Sequence, residues 1–203
     1  MRADSIVFAL AGIMFGVIVG WVLGSQQARN TVPVAAPAAQ AQAAGQSAPQ
    51  GSQAVPLDPE RVRALQTVAE QNPKDAQPRV QLGNMFFDAE QYPQAISWYE
   101  QAMAINSKDA NISTDLGVAY YYTNQPDKAI AQFNHSLSLD PKHTKTLLNM
   151  GIVRAFGKQD LAGATQAWQQ VVAIAPDSPE GQAAKKGLEG LANAHPPGSS
   201  GGR

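Results

Sequence analysis

The sequence predicts an all-α fold in which antiparallel helix pairs stack into a short solenoid, preceded by one transmembrane helix and a disordered linker. Three observations carry that prediction. A pattern of small and large apolar residues recurs every 34 to 35 residues over the C-terminal two thirds. An unbroken apolar run occupies the N-terminus, and a stretch without any charged residue separates the two.

The N-terminal element is assigned to residues 1–30, with its helix at about 6–24. Residues 6–23 are 18 consecutive apolar residues or glycines. At about 1.5 Å per residue they reach roughly 27 Å, close to a hydrocarbon core of about 30 Å. Trp21 stands near the far end, where an indole favours the interface. A cleaved signal peptide is the alternative; its apolar core is normally about 7–15 residues followed by a small-x-small site, and only Val22-Leu23-Gly24 offers one here. Arg2 precedes the span and Arg29 is the only charge after it until Asp58. The positive-inside rule then directs the C-terminal domain out of the cytoplasm, by a small bias. Gly12, Gly16, Gly20 and Gly24 recur every fourth residue and draw one glycine stripe. Such a stripe lets a second helix approach closely, so self-association or packing on a membrane partner is expected.

Residues 31–56 form the linker, built mainly of alanine, glutamine and proline with no charged residue. Without periodic large apolar residues it cannot bury a core, and disorder is expected. The tail, residues 195–203, has the same expectation from its proline, glycine and serine.

The repeat domain spans 57–194. Leu82-Gly83 returns as Leu116-Gly117 and Met150-Gly151; Ala95 as Ala129 and Ala164; Tyr99 as Phe133 and Trp168. Asp58-Pro59-Glu60 opens a lone first helix, the partial repeat 58–73, with Asp58 as N-cap and proline in the first turn. Full units follow at 76–107, 110–141 and 144–176. Their internal breaks are expected near Gln91-Tyr92-Pro93, near Gln125-Pro126, and around Gly157 to Leu161, where the third unit carries one extra residue. A more polar last helix, 178–192, suits a cap. Period and pattern resemble the tetratricopeptide repeat (TPR). The resemblance covers about residues 59–192 and implies a right-handed superhelix.

The resemblance also implies where a partner binds. First helices of such hairpins line a concave face that takes extended peptides or helices. Carried onto this chain, the face comprises Val80, Asn84, Phe87 and Asp88 in the first unit. It comprises Thr114, Val118, Tyr121 and Tyr122 in the second, and Lys145, Leu148, Ile152 and Phe156 in the third. Family members that clamp a chaperone's terminal carboxylate use lysine, arginine and asparagine; only Asn84, Lys145 and Asn149 partly match. An apolar peptide or amphipathic helix is therefore the expected ligand. Coverage of this face by end helices or a second copy is the alternative.

Composition excludes other classes. A net charge of −1 argues against a nucleic-acid surface. With no cysteine, disulfides, thiolate metal sites and cysteine nucleophiles are excluded. His135, His143 and His195 are scattered, so no metal site is expected. No phosphate loop or nucleophile elbow is present, and neither catalysis nor a cofactor is expected. The layout resembles membrane-anchored TPR proteins of bacterial envelopes. The segment from Ala164 to Trp168, followed by Ala175-Pro176-Asp177-Ser178-Pro179-Glu180, is also similar to TPR regions of cytochrome c maturation factors. The expected function is a non-enzymatic adaptor in the bacterial inner membrane, its domain on the periplasmic side, recruiting part of an exported protein. A structural subunit of an envelope or secretion complex and a cytoplasm-facing receptor are the alternatives.

Overall fold

A computed structural model describes residues 55–194. The expected membrane helix with its glycine stripe, the linker up to residue 54 and the tail lie outside the described residues. Among the described residues there are eight α-helices and no strand, and no helix is long and apolar enough to cross a membrane.

Helix α1 is Pro59–Gln71. The Asp58 carboxylate accepts hydrogen bonds from the Glu60 and Arg61 amides at 3.0 and 3.2 Å, which satisfies two of the amides that a helix start leaves open. Three hairpins follow: α2 Gln77–Asp88 with α3 Tyr92–Ile105, α4 Ala110–Tyr122 with α5 Pro126–Leu139, and α6 Thr144–Ile152 with α7 Leu161–Ile174. Helix α8, Pro179–Ala194, closes the array. Each helix packs on its neighbours in the chain, and first helices also touch across units, α4 on α6 and α6 on α8. The first helices thus adjoin in chain order as an inner layer, α2 meeting α4 through the Phe87 and Tyr122 rings.

Each hairpin turns through a non-glycine residue in the left-handed region: Glu90 (φ 58°), Asn124 (φ 58°) and Gln159 (φ 55°). In the first two turns the amides of Gln91 and Glu90 return to the carbonyls of Phe86 and Phe87, and those of Gln125 and Asn124 to Tyr120 and Tyr121. This double bond pattern ends a helix while satisfying carbonyls that would otherwise be orphaned. The third unit differs. Its extra residue, expected in the turn, is absorbed inside the first helix, where Val153–Gly157 form a π-helical turn and the Lys158 amide reaches the Val153 carbonyl at 3.0 Å. A five-residue step takes up one residue without shifting the faces of the helices on either side.

The recurring Leu-Gly and aromatic positions meet in space. A Cβ at Gly83, Gly117 or Gly151 would sit 2.5, 2.5 or 2.2 Å from the rings of Tyr99, Phe133 and Trp168 respectively. The rings therefore lie directly on the first helix of their own hairpin, and all three are buried. Trp168 also donates its indole N–H to the Leu148 carbonyl at 3.1 Å.

Between the second and third units the core is polar. Thr114, Ser136 and Thr146 are each fully buried, and their hydroxyls form a triangle of 2.6 to 3.0 Å contacts. Thr114 and Ser136 also donate to the Ala110 carbonyl. Buried hydroxyls are tolerated because partners surround them. Thr146→Val keeps the shape but removes one corner of the triangle. A loss of about 1–3 kcal/mol is expected from urea unfolding.

Candidate functional site

The inner layer places most of the expected binding residues on adjoining helices. On α2, Asn84 and Asp88 are exposed and Val80 is half-buried, with Val80 packed against Ala76, Ala102 and Ile112. On α4, Val118, Tyr121 and Tyr122 are half-buried, as are Lys145 and Phe156 in the third unit. Three residues are corrected. Thr114 and Leu148 are fully buried and Ile152 is 3% exposed, so none offers surface to a ligand. Thr114 belongs to the hydroxyl triangle, and α6 is enclosed by α5, α7 and α8. Phe87 is also buried, as a packing ring.

Phe87 is the centre of an aromatic cluster at one edge of the layer. Its ring meets Tyr92 edge-on at 5.2 Å and Tyr122 edge-on at 5.4 Å, while Tyr92 and Tyr122 stack at 4.6 Å. Such geometries suit the ring quadrupole and hold the cluster rigid. Burial, with Tyr92 and Tyr121 adding to it, pushes the Tyr122 phenol well up. The run Tyr120-Tyr121-Tyr122 divides as helical geometry requires: Tyr120 is buried and donates to Glu100 at 2.5 Å, and Tyr121 and Tyr122 meet the surface. Burial first and the Glu100 bond second raise the Tyr120 phenol to about 12.

Beside this cluster lies a polar patch that the sequence only half revealed. Tyr99 donates its hydroxyl to Asn84 Oδ1 at 2.7 Å. Lys145 bonds Asp115 at 2.6 Å, each side chain 19% exposed. Burial and then the Asp115 charge raise the Asp88 carboxyl, and Asp115 and Asp88 both add to the rise that burial imposes on Tyr99. The Tyr99 hydroxyl and Asn84 are in direct contact, and the charges of Asp88 and Asp115 both act on Tyr99. Asp115 was missed because nothing local to it marks it. Its ion-pair partner, Lys145, comes from another helix.

His143 connects this region to the polar core. Its ring nitrogens meet Thr146 Oγ1 at 2.5 Å and Asn111 Oδ1 at 3.1 Å. Burial lowers its pKa from the ordinary 6.5; Asp140 opposes, Lys145 lowers it further, and Asp115 and Asp109 oppose. The unfolded chain therefore takes up a proton first as pH falls. Stability should drop as pH falls through about 6.5 and level off below the folded value. Urea midpoints at pH 7.5 and 5.5 check this, and the slope should shrink in His143→Gln.

Among the described residues no group of three or more His, Asp or Glu could hold a metal. A cavity of about 330 Å³ between α7 and α8, lined by Leu161, Ala162, Thr165, Leu188, Leu191 and Ala192, lies away from the inner-layer patch.

Comparisons with known proteins bear on the same residues. A TPR family model matches residues 83–123, and a tetratricopeptide repeat model matches 110–143. No curated protein matches the sequence. Among solved structures, MamA is similar at a TM-score of 0.54 and 16% identity, over 65% of this chain and 85% of that one. The Sgt2 TPR domain from Aspergillus fumigatus has a TM-score of 0.54 and 25% identity, over 63% and 88%. The first TPR domain of Spaghetti (RPAP3), described as bound to the HSP90 peptide SRMEEVD, has a TM-score of 0.54 and 24% identity, over 59% and 91%. These likenesses establish the fold. Two overlapping repeat models, the recurring glycine–aromatic contacts and the stacked hairpins agree: the chain carries tetratricopeptide repeats.

Proposed function

We propose that this protein is a non-enzymatic adaptor holding a peptide or helix of a partner protein against the inner face of α2, α4 and α6. Its N-terminal apolar segment anchors it in the bacterial inner membrane, with the repeats on the periplasmic side. Its task is assembly or maturation of exported proteins. The observation that carries the reading is the inner layer itself, where polar and half-buried apolar side chains from three successive first helices stand side by side on a rigid scaffold. A face of this kind recognises extended or helical segments through several separated anchors. The RPAP3 domain with its HSP90 peptide supports peptide capture as a use of the fold. The cytochrome c maturation branch of the reading rests on the residues from Ala164 to Glu180 alone.

In-cell photo-crosslinking from position 118, with mass spectrometry of the trapped species, tests this. A segment of an exported protein, absent when the crosslinker sits at Ser97 on a second helix, is the expected result. Equal trapping from both positions, or none from 118, would remove the inner face as the site. A topology reporter fused after Arg203 that is active in the cytoplasm would remove the envelope placement.

A further inference from the structure

The array closes on a hairpin with one helix. A step of 34 residues carries Leu82, Leu116 and Met150 to Ala184, and Gly83, Gly117 and Gly151 to Lys185. The same step carries Phe86, Tyr120 and Arg154 to Leu188. Helix α8 is therefore a first helix in register, and Ala184 is buried as its three counterparts are. In the complete units a second helix covers the position of Leu188. Tyr120 donates to Glu100 of the preceding second helix, and Lys128 of its own second helix lies over the ring, 5.1 Å from its centroid. Arg154 pairs with Asp160, the N-cap of its own second helix. Leu188 has the preceding second helix, α7, beside it, and among the described residues no second helix follows α8. The cavity of about 330 Å³ lies here, open to solvent and lined by half-buried Leu161 and Thr165 of α7 and Leu188 and Leu191 of α8. Residues 195–203 hold two prolines, three glycines and no large apolar residue, so they lack the pattern of a second helix. Lys185 stands one turn before Leu188 on the same face. It is half-buried and makes no ion pair among the described residues, not even with Glu189 four positions on.

We propose that this cavity seats an amphipathic helix of another protein, one with an acidic residue followed four and seven positions later by apolar residues. It is a second site, separate from the inner face, and it completes the unfinished hairpin. The three units show what covers such a position, since each first helix is covered by the second helix of its unit. Helix α1 of a second copy has the right shape, being a second helix without a first. Its Leu65 stands at the position of Tyr99 and Phe133, and its Val68 at that of Ala102 and Ser136. Those four counterparts are buried, whereas Leu65 is half-buried and Val68 is 41% exposed. Charge excludes it, however, because Arg61 stands where Ala95 and Ala129 do. In the second unit a Cβ on Gly117 would lie 3.1 Å from the Ala129 carbonyl, so the same pairing would lay Arg61 against Lys185. Like charges at the closest approach of a hairpin reject that partner, and they keep copies from adding end to end into an open filament. An acidic residue in place of Arg61 turns the repulsion into a pair.

The full-length protein in detergent should be titrated with two fluorescein-labelled peptides, one with the sequence of residues 58–72 and one with the same sequence bearing Arg61→Glu. The glutamate peptide is expected to bind at least about tenfold more tightly at low salt, with the gap narrowing as ionic strength rises. Lys185→Glu in the protein should reverse the preference, with thermal unfolding followed to show that α8 stays in place. Thr165→Trp, which fills the cavity, should remove binding of both peptides, whereas Val118→Arg on the inner face should change neither. Equal binding of the two peptides, tighter binding of the Arg61 form, or no binding of the glutamate form would overturn the proposal. So would a preference that Lys185→Glu leaves in place, or binding that ignores Thr165→Trp. Loss of binding in Val118→Arg would move the peptide to the inner face and overturn it as well.

Discussion

Trp168→Ala is expected to lower the unfolding free energy by about 3–5 kcal/mol, the range for deleting a large buried aromatic. The ring is 1% exposed and lies directly on Gly151 of α6 and near Gly187 of α8. It therefore joins three helices at once. Truncation opens space on all three contacts and removes the indole N–H that caps the Leu148 carbonyl. In a solenoid each unit leans only on its neighbours, so the damage should be local. Hydrogen exchange should show loss of protection in α6, α7 and α8, with α2 and α3 little affected. Uniform loss across the array would contradict that picture.

Gly151→Leu should be about as damaging, for the opposite reason. The Cβ alone would lie 2.2 Å from Trp168 Nε1, so the ring must leave its seat, and its burial is lost with it. Expelling the ring and deleting it are one event seen from two sides. The pair Gly151→Leu, Trp168→Ala should therefore lose less stability than the sum of the single variants, because the leucine enters the space the indole vacated. A coupling of about 0.5–3 kcal/mol is the scale for residues in contact. Strict additivity in urea unfolding would mean that the ring and the glycine do not share a seat.

That contact also explains what the sequence could reveal. Gly83 with Tyr99, Gly117 with Phe133 and Gly151 with Trp168 recur at one spacing because a single packing solution is repeated, so periodicity exposes both partners. The inner face is different. Asn84, Asp88 and Val118 could be placed on it because their surroundings repeat. Leu148 and Ile152 could not, since α6 is enclosed by α7 and α8 and a terminal cap has no counterpart in the earlier units. Thr114 was carried onto the face by its place on a first helix, whereas its hydroxyl partners, Ser136 and Thr146, lie on other helices and enclose it. The extra residue of the third unit was visible as a count. Its place in a π-helical turn was not, because a turn and a widened helix absorb one residue equally well.

The hydrogen bond from the Val55 amide to the Asp88 carbonyl, 3.0 Å long, has a mechanical consequence. It fixes the start of α1 beside the end of α2, and the Arg79 guanidinium holds the far end through the Ala69 carbonyl. A pull applied to the chain ahead of Val55 thus reaches the seam at one end. Loaded from that end, the contacts of α1 are strained one after another and not sheared together, so α1 is expected to peel from α2 before the hairpins behind it open.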